Sequence, residues 1–144
     1  MQETTLQLRV GVTRDRGFLF RTCIRPPTSV TVGRSASALL RIDDPDLPQQ
    51  YTLFSVGRTA CLLDFRPGWQ VKVFRDDRPV SGQELLAEGT AFQRGDRTLL
   101  QMAPGTRGAI RIGGVRLLFK WEEVPLSEVG EVPLRDLGSV PRCH

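Results

Sequence analysis

The side chains that could do chemistry in this chain are mainly arginines. Of 20 basic residues, all but Lys72 and Lys120 are arginine. Arginine favours planar, bidentate contacts with phosphate or carboxylate groups, although a genome biased toward arginine would produce the same count. The single histidine is His144, so no histidine inside the folded body could act as a general base or hold a metal. This inventory favours binding over catalysis.

A cluster of carboxylates, Asp43, Asp44 and Asp46, is interrupted by Pro45 and follows a strand-like run. That context is typical of turn chemistry rather than of an acid/base pair. No nucleophile elbow, phosphate-binding loop or metal-ligand set accompanies it. The cysteines Cys23, Cys61 and Cys143 are widely spaced, and we expect the first two to be free thiols within apolar strands. We therefore predict no enzyme and no cofactor.

The distribution of charge is uneven along the chain. The net charge is +4 overall, but it is +7 through Trp121 and −3 from Glu122 onward. A basic body suggests a polyanion binder, including a nucleic-acid binder, whose affinity would fall steeply with salt. Aromatic residues are not interleaved with the arginines, however, and this weakens the nucleic-acid hypothesis.

Period-two alternation of apolar residues is the dominant structural signal, and it predicts half-buried strands. Leu6, Leu8, Val10 and Val12 alternate with polar residues or glycine, and Val115–Trp121 shows the clearest pattern. Tight-turn signals such as Pro104-Gly105 and Gly113-Gly114 separate the runs, so we predict an all-β sandwich. Further strands are expected over residues 18–24, 29–32, 38–42, 51–56, 60–65, 71–74, 98–102 and 109–112, and one short helix over 83–88.

Composition changes after Trp121, and we therefore predict a domain over residues 1–121 and an acidic, proline-containing tail over 122–144. The tail repeats Glu-Val-Pro-Leu at 123–126 and 131–134. It is either a flexible extension or a docking segment that adds to a strand edge or covers a patch on the basic body. No apolar run approaches the roughly 20 residues of a membrane span, and no secretory signal is visible. We expect a cytoplasmic location.

One pair, Gly33-Arg34, ends the strand-like run 29–32 and begins a recognisable succession. It is followed by Leu40-Arg41-Ile42, then by the runs at 51–54 and 60–65, and later by the runs at 108–113 and 115–119. This order, over roughly residues 4–121, resembles a forkhead-associated (FHA) domain. The resemblance implies a SMAD/FHA-type sandwich of about eleven short, mainly antiparallel strands, whose loops at one end read a phosphothreonine.

The FHA motifs are only partly present. Arg34 matches the arginine of the family's Gly-Arg pair, which contacts the bound segment. The family's Ser-x-x-His site falls at Pro48-Gln49-Gln50-Tyr51, and its Asn-Gly site falls near Val71-Lys72. Each hydrogen bond to a charged group is worth about 1.5–3 kcal/mol, so losing two would weaken phosphate binding by roughly two to four powers of ten.

The stretch after Pro48 and the late runs are also similar to FHA-like domains attached to bacterial gliding-motility and envelope-spanning machinery, which act as scaffolds. We therefore predict a non-catalytic interaction module, with phosphothreonine-peptide or polyanion binding through Arg34, Arg41 and neighbouring arginines as the alternative. Two structural roles compete with binding: Arg34 could pair with Asp43 or Asp44, and Trp69 could be a partly buried plug. The predicted partner-binding residues are Arg34, Arg41, Gln49, Gln50, Trp69 and Gln70.

Overall fold

The computed structural model describes residues 3–15 and 17–125, which form twelve strands and one short helix. The segments with alternating apolar residues form strands, because a strand can bury its apolar side chains on one face and expose the polar ones on the other. In chain order the elements are β1 (Thr4–Arg14), β2 (Gly17–Ile24), β3 (Thr28–Gly33), β4 (Leu40–Arg41), β5 (Tyr51–Val56), β6 (Cys61–Phe65), β7 (Gln70–Arg75), β8 (Arg78–Ser81), α1 (Gly82–Ala87), β9 (Ala91–Arg94), β10 (Arg97–Met102), β11 (Arg107–Ile112) and β12 (Val115–Pro125).

The strands form two six-stranded sheets. Sheet I has the order β2-β1-β12-β11-β7-β8, and sheet II has the order β4-β3-β5-β6-β10-β9. Among the described strands, only β3 and β4 pair in parallel, over two residue pairs. The predicted all-β sandwich of mainly antiparallel strands is therefore confirmed, with twelve strands rather than about eleven.

The core lies between the inner faces of the two sheets. Phe54 of sheet II meets Phe119 of sheet I edge to face, with ring centroids 5.4 Å apart. Trp121, which continues the alternation of β12, is fully buried. Burying a large apolar side chain of this kind stabilises the fold by roughly 1.5–3 kcal/mol, so the two sheets are held together mainly by these inward rows.

Strand β12 continues four residues beyond the boundary predicted at Trp121. Residues 122–125 pair with the start of β1, as far as Thr4 opposite Pro125. Glu122 is held at 2.6 Å by Arg9, and Val124 is buried. Acidic composition suggested a tail here, but a charged partner on the neighbouring strand and one buried valine suffice to extend the ladder. The rest of the predicted tail, 126–144, lies outside the described residues.

Two strands were not predicted, and one is shorter than expected. Strands β8 and β9 lie at the edges of sheets I and II, where a strand needs only one partner. Pro79 within β8 obscured the pattern, although proline is tolerated on an edge strand. The run 38–42 contributes only the two residues of β4. The helix is confirmed one residue earlier than expected, with the Ser81 hydroxyl accepting a hydrogen bond from the Glu84 backbone N–H.

The two described cysteines differ in state. Cys61 is a free thiol in the core, and burial raises its pKa to about 12. Cys23 takes part in a disulfide, so the expectation of a free thiol was wrong there. In the part of the chain that the structure describes, no helix is long and apolar enough to cross a membrane.

Candidate functional site

One end of the sandwich gathers the loops 34–39, 42–50 and 66–69 and the hairpin turn at Gly113-Gly114; we call it the loop end. The register explains the grouping. The start of β7 lies beside the end of β11, and the end of β1 lies beside the start of β12. Strand β6, which is antiparallel to β5, ends near the start of β5. Residues far apart in the sequence therefore meet at this end.

Gly33 allows two loops to pass at very close range. A Cβ atom at this position would lie 2.6 Å from the carbonyl carbon of Gln49 and 2.8 Å from the carbonyl oxygen of Pro48. The backbone N–H of Arg34 donates to that Pro48 oxygen at 3.1 Å, and the N–H of Ser35 donates to the Gln49 oxygen at 2.9 Å. Glycine is needed here because backbone atoms, which cannot move aside, occupy the space.

Arg34 is exposed, and its side chain is held by backbone rather than by a carboxylate. Its Nε donates to the Leu47 carbonyl oxygen at 3.0 Å. Arg41, also exposed, directs its Nε to the Arg34 carbonyl oxygen at 3.5 Å. The alternative in which Arg34 pairs with Asp43 or Asp44 is wrong, since no ion pair among the described residues includes Arg34. No described residue forms a hydrogen bond or an ion pair with its two terminal nitrogens.

The aspartate cluster is instead tied down by Arg14, at the end of β1. The Arg14 Nη2 donates to the Asp43 carbonyl oxygen at 2.8 Å and lies 3.7 Å from the Asp44 carboxylate. Asp44 is buried, and its Oδ1 accepts the backbone N–H of Asp46 at 2.9 Å. This is an Asx turn, as the sequence predicted. The Asp44 carboxylate shapes the 42–50 loop.

Two serines that the sequence analysis did not select stand beside Arg34. The hydroxyls of Ser35 and Ser37 are 2.8 Å apart, and the Ser37 hydroxyl donates to the Gln50 side-chain oxygen at 2.8 Å. The signal was present as Ser-Ala-Ser directly after Gly-Arg. Hydroxyls near a guanidinium are groups that can share the binding of an anion or a peptide amide.

Tyr51 and Trp69 form a plug next to this cluster. Their rings meet edge to face with centroids 4.9 Å apart, and Arg66 lies over the Tyr51 ring at 5.0 Å. The Tyr51 hydroxyl donates to Asp64 Oδ1 at 2.7 Å, and Arg97 pairs with the other oxygen of Asp64 at 3.3 Å. Burial, together with the hydrogen bond to Asp64, raises the pKa of Tyr51 above its ordinary value. Tyr51 is thus a neutral, fixed support.

The structure brings most of the predicted residues together. Gln49 contributes its backbone to the clamp at Gly33, Gln50 binds Ser37, and Trp69 rests on Tyr51 while remaining partly exposed. Gln70 is exposed and follows Trp69 at the start of β7. It lies near the other predicted binding residues only because it is next to Trp69 in the chain. Whether these residues bind a partner remains a prediction.

Two positions of the FHA pattern have purely structural surroundings. Pro48 supplies a carbonyl oxygen to Arg34 but has no hydroxyl for a phosphate. Val71 and Lys72 lie within β7, where Val71 is buried and Lys72 pairs with Ala109 of β11. Neither can supply the amide that the family uses at the Asn-Gly position.

The described residues contain no group of three or more histidine, cysteine or acidic side chains placed to hold a metal ion. Comparisons with protein-family models, with curated proteins and with solved structures give no match for this chain. The fold and the loop-end geometry are therefore the grounds on which a function can be proposed.

Proposed function

We propose that the chain is a non-catalytic, FHA-like interaction module that binds a protein partner at the loop end without requiring phosphothreonine. The observation that supports this most directly is the fixed but exposed Arg34. Its Nε donates to the Leu47 carbonyl oxygen, which holds the guanidinium in place, and the residue is exposed. A side chain held this way loses less conformational entropy when it binds a ligand.

The surroundings of Arg34 suit an extended peptide. Ser35, Ser37 and Gln50 present hydroxyl and amide groups that can bond to peptide N–H and C=O groups. Trp69 adds a partly exposed aromatic surface on a rigid support. Arginine and tryptophan are enriched among the residues that dominate binding energy at protein interfaces. The hypothesis that this binding takes place in a bacterial signalling or scaffold complex rests on the FHA resemblance.

A second candidate is binding of a phosphopeptide or another anion at the same place. It is favoured by the two serine hydroxyls beside Arg34 and by Arg41, which together could replace the serine that is absent at position 48. Pro48 and the missing Asn-Gly pair weigh against it, because Pro48 has neither a hydroxyl nor an N–H and no side-chain amide stands at Val71-Lys72. The second candidate therefore differs from the first in one testable way, dependence on phosphate.

The decisive experiment compares the full-length chain with Arg34→Ala in capture of partners from cells that express it. Arg58→Ala is the matched control, since Arg58 is exposed in the loop that follows β5 at the opposite end. We expect Arg34→Ala to lower affinity about tenfold or more, as loss of a charged hydrogen bond implies. Arg58→Ala should bind as the parent does, and phosphatase treatment should release nothing.

Two outcomes would redirect the assignment. Release of every partner by phosphatase would establish phosphothreonine recognition instead. Partners that tolerate Arg34→Ala but are released by nuclease or by moderate salt would establish polyanion binding by the arginine-rich body. Unchanged thermal unfolding of both variants would show that the comparison reports binding rather than folding.

A further inference from the structure

The outer face of sheet I carries a groove that the loop end does not use. Its floor is Leu118 of β12, which lies between two small residues, Gly11 of β1 and Ala109 of β11. Because the small neighbours leave space on each side of Leu118, the groove has a volume of about 310 Å³. Phe18 stands at one end and Phe74 at the other. The floor is thus apolar on a face that points away from the core.

Rows of cations border this floor; we call the whole surface the basic face. On one side Lys120 lies directly between Arg9 and Arg107 in the strand register. On the other side Arg116 lies opposite Arg111. Like charges placed directly opposite each other destabilise a sheet. Arg9 pairs with Glu122 and Arg107 pairs with Asp77. Among the described residues, Lys120, Arg116 and Arg111 form no ion pair, so an anionic occupant would relieve the repulsion at these cations.

The aromatic residues at the ends of the groove are held by arginines. The Arg21 guanidinium lies 3.9 Å from the centroid of the Phe18 ring, and Arg107 lies 4.5 Å from that of Phe74. Phe18 remains 49% exposed. These pairs keep the ends of the groove apolar and positive at once, which suits a segment that carries both aliphatic and acidic side chains.

Next to the groove, polar groups on the outer face are buried. Gln7 and Glu122 face each other across β1 and β12, and each is only 8% exposed. Arg9 Nε and Glu122 Oε2 are buried, and neither has a hydrogen-bond partner in the described part of the chain. A buried donor and acceptor without partners are costly.

We propose that the segment 126–144 of this same chain docks on the basic face, with residues 126–134 lying in the groove. Those nine residues, Leu-Ser-Glu-Val-Gly-Glu-Val-Pro-Leu, combine aliphatic side chains with Glu128 and Glu131 and contain no lysine or arginine. This composition matches an apolar floor between cationic rows. The proposal concerns a different surface from the loop end and does not depend on the proposed function.

The chain leaves the sandwich close enough for this contact. Strand β12 ends at Pro125, five residues beyond Lys120, a distance of about 17 Å along a strand. Nine extended residues reach about 30 Å. About 13 Å of this reach remains beyond the level of Lys120, so the segment can turn back and cover Leu118, which lies two residues further along β12. Its leucine and valine side chains would cover Leu118.

The test uses ¹⁵N relaxation of the full chain, with a reductant present so that no disulfide can tether the segment. We expect amides 126–134 to show order parameters near those of the rigid sandwich, about 0.85, and Leu118→Asp to lower them below about 0.6. Thr52→Asp, an exposed position on sheet II, is the matched control and should change nothing in the segment.

Glu128→Lys with Glu131→Lys should release the segment as well. Adding Arg21→Glu and Lys120→Glu to that pair should restore docking.

Several results would overturn the proposal. One is a segment that is mobile in the parent chain, and another is a segment that stays ordered in Leu118→Asp while the sheets remain folded. Ordering that increases with protein concentration would assign the groove to a second copy of the chain. A mobile segment together with shifts at Leu118 and Lys120 on adding a single-stranded oligonucleotide would assign the face to nucleic acid.

Discussion

The loop end and the basic face both present arginines, but the two regions are built in opposite ways. At the loop end, backbone atoms hold the cations, as in the contacts of Arg34 with Leu47 and of Arg14 with Asp43. On the basic face, cations stand in cross-strand rows, and those at Lys120 and Arg116 have no anionic partner among the described residues. The first region is shaped before a ligand arrives. The second is an electrostatic surface around an apolar floor.

The largest expected difference between the two regions is in the stability cost of a glycine-to-alanine substitution, at Gly33 in the loop end and at Gly11 in the basic face. Gly33→Ala would force a Cβ against the backbone of Pro48 and Gln49, and we expect the free energy of unfolding to fall by about 2–3 kcal/mol. Gly11→Ala meets mainly the end of the Phe18 ring, at 2.9 Å, which can rotate away. It should change stability by less than about 0.5 kcal/mol. Urea unfolding measures both, and equal effects would contradict the contrast.

The plug at the loop end gives the next largest effect. Tyr51→Phe removes the buried hydrogen bond to Asp64, which should cost about 1–2 kcal/mol. Thr13→Val removes an exposed bond to the Arg116 carbonyl oxygen on the basic face and should be near neutral. A loss in the threonine variant as large as that in the tyrosine variant would show that burial does not distinguish the regions.

The same tyrosine makes stability depend on pH at the alkaline end. Its pKa is raised in the folded protein, so its contribution is complete below the unfolded pKa of about 10. The contribution is lost as the pH rises through the folded pKa. The stability advantage of the parent chain over Tyr51→Phe should therefore shrink above about pH 10. Tyr51 is the only tyrosine, so phenolate absorbance reports its titration directly, and an unchanged advantage would disprove the linkage.

The smallest expected effect lies on the basic face. Arg116→Gln removes one of two like charges that stand opposite each other, and we expect stability to increase by about 0.2–0.5 kcal/mol in low salt. High salt should abolish the difference because it screens exposed charges. Lys72→Gln is the control, since Lys72 lies opposite Ala109 and Ser81. An equal gain in the control would mean that overall net charge, rather than the row, sets the effect.

The sequence predicted the elements better than their contacts. Alternation located ten of the twelve strands, including the edge strands β2 and β4, because burial of one face imposes period two. It missed β8, which contains Pro79 and no buried residue, and β9, in which only Ala91 is buried. The carboxylate turn at Asp44 was also predicted correctly, since its chemistry is local. The disulfide of Cys23 was not foreseen. The extension of β12 was not foreseen either, because it depends on Arg9 and the start of β1, which are distant in the chain.

The predicted binding residues show the same division. Arg34 was selected because it follows a glycine at a strand end, but its support by Leu47 was not visible in the sequence. Ser35 and Ser37 stood beside it and were overlooked, since two small polar residues in a loop are ordinary. The sequence did not predict that the residues of the basic face form one surface. Arg9, Arg107 and Lys120 are distant in the sequence, and only strand pairing places them in one row.

By itself, the sequence determined which segments form strands with one apolar and one polar face, where the turns between them lie, and the position of Gly33, whose lack of a side chain allows the close contact of two loops at Arg34. These are local matters of periodicity and backbone conformation. Tertiary structure alone decided that Arg14, rather than Arg34, pairs with Asp44, that Tyr51 packs against Trp69, and that cations from four strands border one apolar floor. Such contacts depend on sheet register, which is set by the packing of the whole core and not by any one segment.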